Sequence, residues 1–393
     1  MYKMNASKKH SKHSNKKTVK KLPHAKINSL IKPLIFRNPL KDQILFHNMA
    51  ITPPEYISIC RKLFESKNGK KYRAMSNNIL HDAIKHSENI ILYMNFKSHN
   101  ILDDSKREKL YDMIKSHNPN IICLSEALLP TSIDSNKNPK DKYLATIVDI
   151  KSLSDDTISQ PYEACKKFTE KKISEYNGVK NIKNKWQNFF LAHGYNYIVF
   201  ANPTECPWGS NWGNCIITKT RPLDAYVLQM GSYGKEAFEV PESRSAVCIK
   251  INESNPEYIC STQLDNNNSN ARIHQVKELI QFIKKLKSKN KSKNKSKNVT
   301  LLGDLNAINV KSYTKTELKI LGLLNLDKKP LQTDAIDILN KSNILGKRPI
   351  NTGQTYEGFA QKCITHVYST KYKRNIMIFT DATDFDHQPI FIW

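Results

Sequence analysis

The run Val299-Thr300-Leu301-Leu302-Gly303-Asp304-Leu305-Asn306 ends an apolar, β-branched stretch on two short polar side chains, Asp304 and Asn306, at i and i+2. Two chemistries suit that spacing. A carboxylate and a carboxamide just past a strand can cap their own turn. They can also hold a metal, a water or a phosphate. Similar endings recur along the chain. Asn95 follows Ile-Leu-Tyr-Met, Glu126 follows Ile-Ile-Cys-Leu-Ser, and Asp386-His387 precede the closing Gln-Pro-Ile-Phe-Ile-Trp. A lone carboxylate at a strand end is ordinarily a turn residue. Several in one chain point to loops that converge at one edge of a layered fold and share a cleft.

The elements that position these groups are short. "NIILYMNF", "NIICLSE", "NYIVFAN", "NCIITKT", "AVCIKI", "YICSTQL", "VTLLGDLN", "CITHVYS" and "NIMIFT" are apolar runs bounded by turn residues, and they predict strands. Helical patterns lie between some of them. "DDSKREKLYDMIKSH" is one, stopped by "HNPN". "NARIHQVKELIQFIKKLK" is another, with Ile273, Val276, Leu279, Ile280, Ile283 and Leu286 on one face. Strands with interposed helices predict an α/β layered domain over residues 89–393. Ahead of it stand a disordered basic tail, residues 1–25, and an extension, residues 26–88, that packs on the main domain. A polar insertion occupies 129–190 and is partly helical, as in "YEACKKFTEKKISEY". The repeat "KSKNKSKNKSKN" at 287–298 predicts an exposed loop, either a tolerated expansion or an electrostatic arm for a phosphate backbone.

The totals narrow the function class. The chain has 393 residues and a formal net charge of +26, from 62 Lys+Arg against 36 Asp+Glu. That balance favours polyanions, nucleic acid or an acidic membrane surface, although Lys/Asn-rich composition also arises as solvated tails. No apolar run reaches the roughly 18–20 residues a membrane span needs, and the basic N-terminus has no apolar segment behind it, so no secretory signal is read. The eight cysteines form no CxxC pair and several sit in strand-like runs. They predict reduced core thiols in an intracellular protein, cytoplasmic or nuclear, rather than a disulfide frame or a zinc site.

In order along the chain, these segments resemble the endonuclease/exonuclease/phosphatase superfamily, the fold of deoxyribonuclease I and the exonuclease III-like enzymes. "YMNF" resembles its early Asn motif, and "NPNIICLSE" its P-x-I-[IV]-x-L-x-E. "WGNCIITKTRPL" resembles its G-N-A-I-L-S-R strand, and "ESRSAVCI" its E-x-R-x-A. "STQLDNNNSNARIHQ" resembles its T-H-L strand and following R-x-x-Q helix. "GDLN" and "FDHQPI" stand for its G-D-x-N and S-D-H-x-P. The resemblance implies a four-layer α/β sandwich of two packed mixed sheets flanked by helices. It implies a monomeric hydrolase of phosphodiesters, an endonuclease or exonuclease dependent on Mg2+ (or Mn2+). Its site would place Glu126 as main metal ligand with Asn95 and Asp386 nearby. Asp304 would activate the attacking water and Asn306 would donate to a phosphate oxygen. His387, tuned by a neighbouring carboxylate, would contact the scissile phosphate, and Arg244 would brace the site through Glu126 or Glu242. A hard cation with oxygen ligands and retained waters suits that chemistry.

Two positions depart from the pattern. Gln263 stands where the family has His, and Thr365 where it has Asp. Gln263 can donate an N–H to phosphate but cannot move a proton. Three outcomes are open: a slower or substrate-restricted enzyme, substitution by a nearby histidine such as His366, or decay into a nucleic-acid-binding surface. A lipid or small phosphoester remains an alternative substrate.

Overall fold

Strands with both faces apolar must be covered on both sides, and that requirement sets the layers. The computed structural model describes residues 89–98, 104–128, 142–153, 179–201, 212–231, 244–266, 268–288, 298–308, 334–346, 364–371, 376–378 and 387–393. The tail at 1–25, the extension at 26–88, the helix expected at 162–176 and the repeat at 289–297 lie outside these residues. The strands are β1 (Ile91–Ser98), β2 (Ile121–Leu128), β3 (Val148–Asp149), β4 (Tyr197–Ala201), β5 (Trp212–Thr218) and β6 (Asp224–Met230). They continue with β7 (Arg244–Ile251), β8 (Glu257–Gln263), β9 (Asn298–Asp304), β10 (Thr365–Ser369), β11 (Ile376–Ile378) and β12 (Ile390–Ile392). The helices are α1 (Asp104–His117), α2 (Val179–Ala192), α3 (Ser269–Ser288) and α4 (Asp334–Ser342).

One sheet has the order β11-β12-β1-β2-β5-β4-β3, the other β10-β9-β8-β7-β6. Both are mixed. Alternation along each strand divides the core into three layers. Ile91 and Tyr93 of β1, Ile121 and Cys123 of β2, Val247 and Ile249 of β7, and Leu302 of β9 fill the space between the sheets. Leu92, Met94, Ile122 and Leu124 face outward, under Tyr111 and Ile114 of α1 and Trp186 and Phe190 of α2. Tyr258, Cys260, Val299 and Leu301 face outward from the second sheet, under Val276, Leu279 and Ile283 of α3 and Leu339 of α4. This is the two-sheet α/β sandwich, flanked by helices, that the motif order implied.

The site is set up by two crossovers. β1 and β2 run parallel with α1 between them, and β8 and β9 run parallel with α3 between them. α1 ends as the sequence indicates: Asn118 adopts φ 47°, its N–H reaches Ile114 O at 2.8 Å, and Pro119 follows. Each helix covers the outer face of its own parallel pair. The C-terminal ends of all four strands therefore open toward one edge of the sandwich.

Four features lay beyond the sequence reading, the first being helix α4. β6 was not read as a strand. Residues 143–149, inside the expected insertion, bind the edges of both sheets: Val227 N–H donates to Tyr143 O, Ala145 N–H to Ala225 O, and β3 pairs with β4. That segment covers two strand edges which would otherwise present unpaired backbone. The expectation of unpaired thiols throughout also fails at one place. Cys248 and Cys260 are direct partners across β7 and β8, Cα atoms 4.0 Å apart, and their sulfurs are joined as a disulfide. Cys123 and Cys215 are buried free thiols. Burial pushes the Cys215 thiol up to about 12, which leaves it unreactive.

Candidate active site

Alternation predicts which polar residues reach the gap between the sheets. Asn95 shares the parity of Ile91 and Tyr93, Gln263 that of Ile259, and Asp304 that of Leu302. Thr365 shares the parity of Val367. Each therefore extends the inner layer past its last apolar residue. Glu126 has the opposite parity to Cys123, and a regular β2 would point it outward. It is re-aimed by a bulge. The pairing of β2 shifts register against both β1 and β5 at this point, Glu126 takes φ 50°, and Ala127 resumes on the outer cluster. A left-handed glutamate costs on the order of 1–3 kcal/mol. Bulges of this kind redirect a side chain at functional sites.

The result is a tight polar cluster. Asn95 Nδ2 lies 3.0 Å from Glu126 Oε1, 2.9 Å from Asp304 Oδ2 and 3.5 Å from His387 Nε2. His387 Nε2 approaches Asp304 Oδ2 at 3.6 Å. One carboxamide thus bridges two carboxylates that come from different sheets. Asp304 is 1% exposed. Burial holds its carboxyl above the usual range, the neighbouring Glu126 adds to this, and His387, Asn95 and the Asn306 N–H oppose it.

The two readings of the GDLN turn both hold in part. Asn306 N–H donates to Asp304 Oδ1 at 3.1 Å, so the turn does cap itself with one carboxylate oxygen. The other oxygen, Oδ2, faces Asn95 and His387. Asn306 also adopts a left-handed φ of 46°, which Asn tolerates. Its Nδ2 donates to Leu264 O at 2.8 Å; one amide hydrogen is thereby committed to the loop after β8.

The residues that depart from the family pattern occupy the site. Gln263 Nε2 donates to Glu126 Oε1, and its Oε1 accepts from Arg244 Nη1 at 2.9 Å. Arg244 is buried, with its guanidinium carbon 5.6 Å from the centre of the Trp212 ring. It acts on Glu126 through Gln263. Thr365 Oγ1 lies 3.4 Å from His387 Nδ1, so a neutral hydroxyl meets the ring nitrogen. His366 is one residue away in β10 and faces the other side. Its Nε2 lies 2.7 Å from Ala307 O, and it does not take the place of the missing histidine. Asp386 and Glu242 lie outside the described residues.

Sequence reasoning missed a polar layer beneath the cluster. Asp304 N–H donates to Tyr93 Oη at 2.8 Å, Tyr93 O–H to Ser125 Oγ at 2.9 Å, and Ser125 O–H to Thr262 O at 3.2 Å. Beside it, Thr262 Oγ1 donates to Ser245 O, Asn214 Nδ2 to the same carbonyl, and Ser245 Oγ to Ala201 O. A tyrosine and a serine at inward positions of paired strands were the available signal. Gly303 has a steric reason. A Cβ there would meet Thr262 O and Cγ2 at 2.8 Å, so β9 approaches β8 this closely only with glycine. Gly303→Ala is expected to cost about 1–3 kcal/mol in urea unfolding. Unchanged stability would show that β9 shifts freely.

The donor set suits a hard cation. Among the described residues no group of three or more His, Cys, Asp or Glu side chains is arranged to hold a metal ion by itself. Glu126 and Asp304 instead offer carboxylate oxygens of the kind one Mg2+ takes while keeping its waters, and Asn95 turns its Nδ2 toward both. A buried carboxylate, Asp304, and a half-buried one, Glu126, held together by one neutral amide leave negative charge that a divalent cation would offset.

No family model and no curated protein matches the sequence. Solved structures align to it. The human Nocturnin catalytic domain with bound sulfate is 11% identical, with 77% of this chain and 92% of that chain covered and a TM-score of 0.41. An endonuclease/exonuclease/phosphatase from Bacteroides vulgatus is 12% identical over 77% and 97%, at 0.44. ANGEL2, described as a 2',3'-cyclic phosphatase, is 10% identical over 77% and 94%, at 0.42. These are likenesses of fold, and the reading of chemistry below rests on the cluster itself.

Proposed function

We propose that the chain is a Mg2+-dependent phosphodiesterase, with Mn2+ as a substitute, that hydrolyses nucleic acid. The observation that supports it most is the bridging of Glu126 and Asp304 by Asn95, with Glu126 turned inward at a bulge in a left-handed conformation. Strain of that kind persists where the surroundings hold it, and such residues gather at functional sites. Glu126 and Asn95, with Asp386, would hold the metal. When bound, it would offset charge on the phosphate and stabilise the leaving oxygen.

The chain's own groups do the rest in this reading. Asp304 Oδ2 takes a proton from the attacking water, while Oδ1 stays tied to the Asn306 N–H. The second amide hydrogen of Asn306 meets a non-bridging phosphate oxygen. His387 Nε2 contacts the phosphate from the Asp304 side. Gln263, held by Arg244, keeps Glu126 in place. The net charge of +26 suits a polyanionic substrate.

Thr365 gives a specific expectation. A neutral contact at 3.4 Å is weak, so Thr365→Ala should change turnover little. Thr365→Asp supplies a charged partner for the His387 ring. Charged hydrogen bonds exceed neutral ones by roughly 1 kcal/mol, so turnover at neutral pH should rise about fivefold to tenfold. A fall in rate would place the substitution against the chemistry. The substrate class is tested by offering supercoiled plasmid, single-stranded DNA, RNA, phosphoinositide and sphingomyelin with Mg2+ or Mn2+. Polymer cleavage supports the proposal. Selective cleavage of lipid headgroups assigns the alternative substrate. Salt-sensitive binding without turnover assigns a decayed site, the outcome that Gln263 and Thr365 would explain.

A further inference from the structure

Tyr93 and Ser125 have no place in the chemistry just described, yet they lie directly under it. Both are fully buried. Tyr93 reaches from β1 of one sheet to the backbone N–H of Asp304 on β9 of the other, at 2.8 Å. Its own proton goes to Ser125 Oγ on β2 at 2.9 Å. Ser125 returns across the gap to Thr262 O on β8 at 3.2 Å. The chain of hydrogen bonds therefore links all four strands whose ends carry the cluster.

Its two anchors matter most. One is the main-chain N–H of Asp304 itself. The other is the residue immediately before Glu126, where the bulge begins. Further into the sandwich, apolar side chains such as Ile91, Cys123, Ile259 and Leu302 set the distance between sheets. At the site end that packing stops, and hydroxyls take over the same inner layer. We infer that Tyr93 and Ser125 form a positioning clamp that fixes the separation of Glu126 and Asp304, and so sets metal affinity and turnover.

The inference rests on the phosphodiesterase reading, and the test separates the two. The full chain and its Tyr93→Phe variant are titrated with Mn2+ alone by calorimetry, and kcat and KM are measured on whichever polymer the wild type cleaves. Tyr93→Phe keeps the ring and removes only the hydroxyl. Groups that orient a site from behind typically cost 10–100-fold when changed. The expected result is Mn2+ binding weakened by about 10-fold or more and kcat lowered by about 10–100-fold, with KM little altered. Melting alone does not decide the matter, because losing any buried hydrogen bond lowers it. A less stable variant with wild-type Mn2+ affinity and kcat would overturn the clamp and leave Tyr93 a purely structural residue. If Tyr93→Phe does not fold, Ser125→Ala is read by the same two criteria. A wild type that neither binds Mn2+ nor turns over any substrate would overturn the phosphodiesterase reading, and the clamp with it.

Discussion

Asp304→Asn is expected to lose about 10³–10⁴-fold in kcat with KM little changed, because it removes the proton acceptor and leaves the shape. The substitution keeps the acceptor at Oδ1 and sets an amide NH2 at the Oδ2 position, where Asn95 loses its acceptor. Asn306 N–H can keep its bond to Oδ1, and the backbone stays tied to Tyr93. The pH dependence of stability gives a second readout. Burial, then Glu126, raises the Asp304 carboxyl above its ordinary value. The native state thus holds a proton that the unfolded chain releases at about pH 4. In metal-free wild type the Asp304 contribution to stability should therefore be fully present below about pH 4 and be lost as pH rises through the raised value. Asp304→Asn should lack that component. A variant with the same pH–stability curve as wild type would show that Asp304 titrates normally in the folded chain.

Glu126→Gln is expected to remove divalent-ion binding, with affinity falling more than about 100-fold, beyond the range typical of groups behind the ligands. The amide can still accept from Gln263 and Asn95 through its oxygen, so the bulge has no reason to collapse. Ligand binding stabilises a protein by about 2.7 kcal/mol at a hundredfold excess over Kd. Mg2+ should raise the melting temperature of wild type at neutral pH and leave Glu126→Gln unmoved. Because the metal favours ionised carboxylates, the stabilisation should grow as pH rises, opposite to the metal-free trend. An equal Mg2+ shift in both proteins would move the metal away from Glu126.

Local patterns were legible and cross-strand relations were not. All nine apolar runs read from the sequence are strands, and the two periodic stretches are α1 and α3. Those readings depend on neighbours along the chain. β6 was passed over because Asp224, Tyr226 and Gln229 interrupt its apolar pattern. The edge segment 143–149 could not be seen, since its partners Ala225 and Val227 are distant in sequence. The disulfide was missed for a similar reason: Cys248 and Cys260 meet only once the register of β7 on β8 is known. In the cluster, Asn95, Gln263, Asp304 and Thr365 follow from strand parity. Glu126 does not, because a bulge reverses its direction, and simple alternation would have turned it away from the cleft. His366 was a reasonable substitute by composition, but its parity in β10 sends it to Ala307. The Tyr93–Ser125 link exists only because two sheets face each other.

The most direct test of the account is Mg2+-dependent cleavage by the purified full chain, on plasmid, single-stranded DNA and RNA, beside Asp304→Ala. The account predicts cleavage of at least one polymer that needs the divalent ion, is stopped by a chelator, and is absent in the variant. Cleavage that persists in Asp304→Ala, or binding of the polymers with no cleavage by wild type, would contradict it.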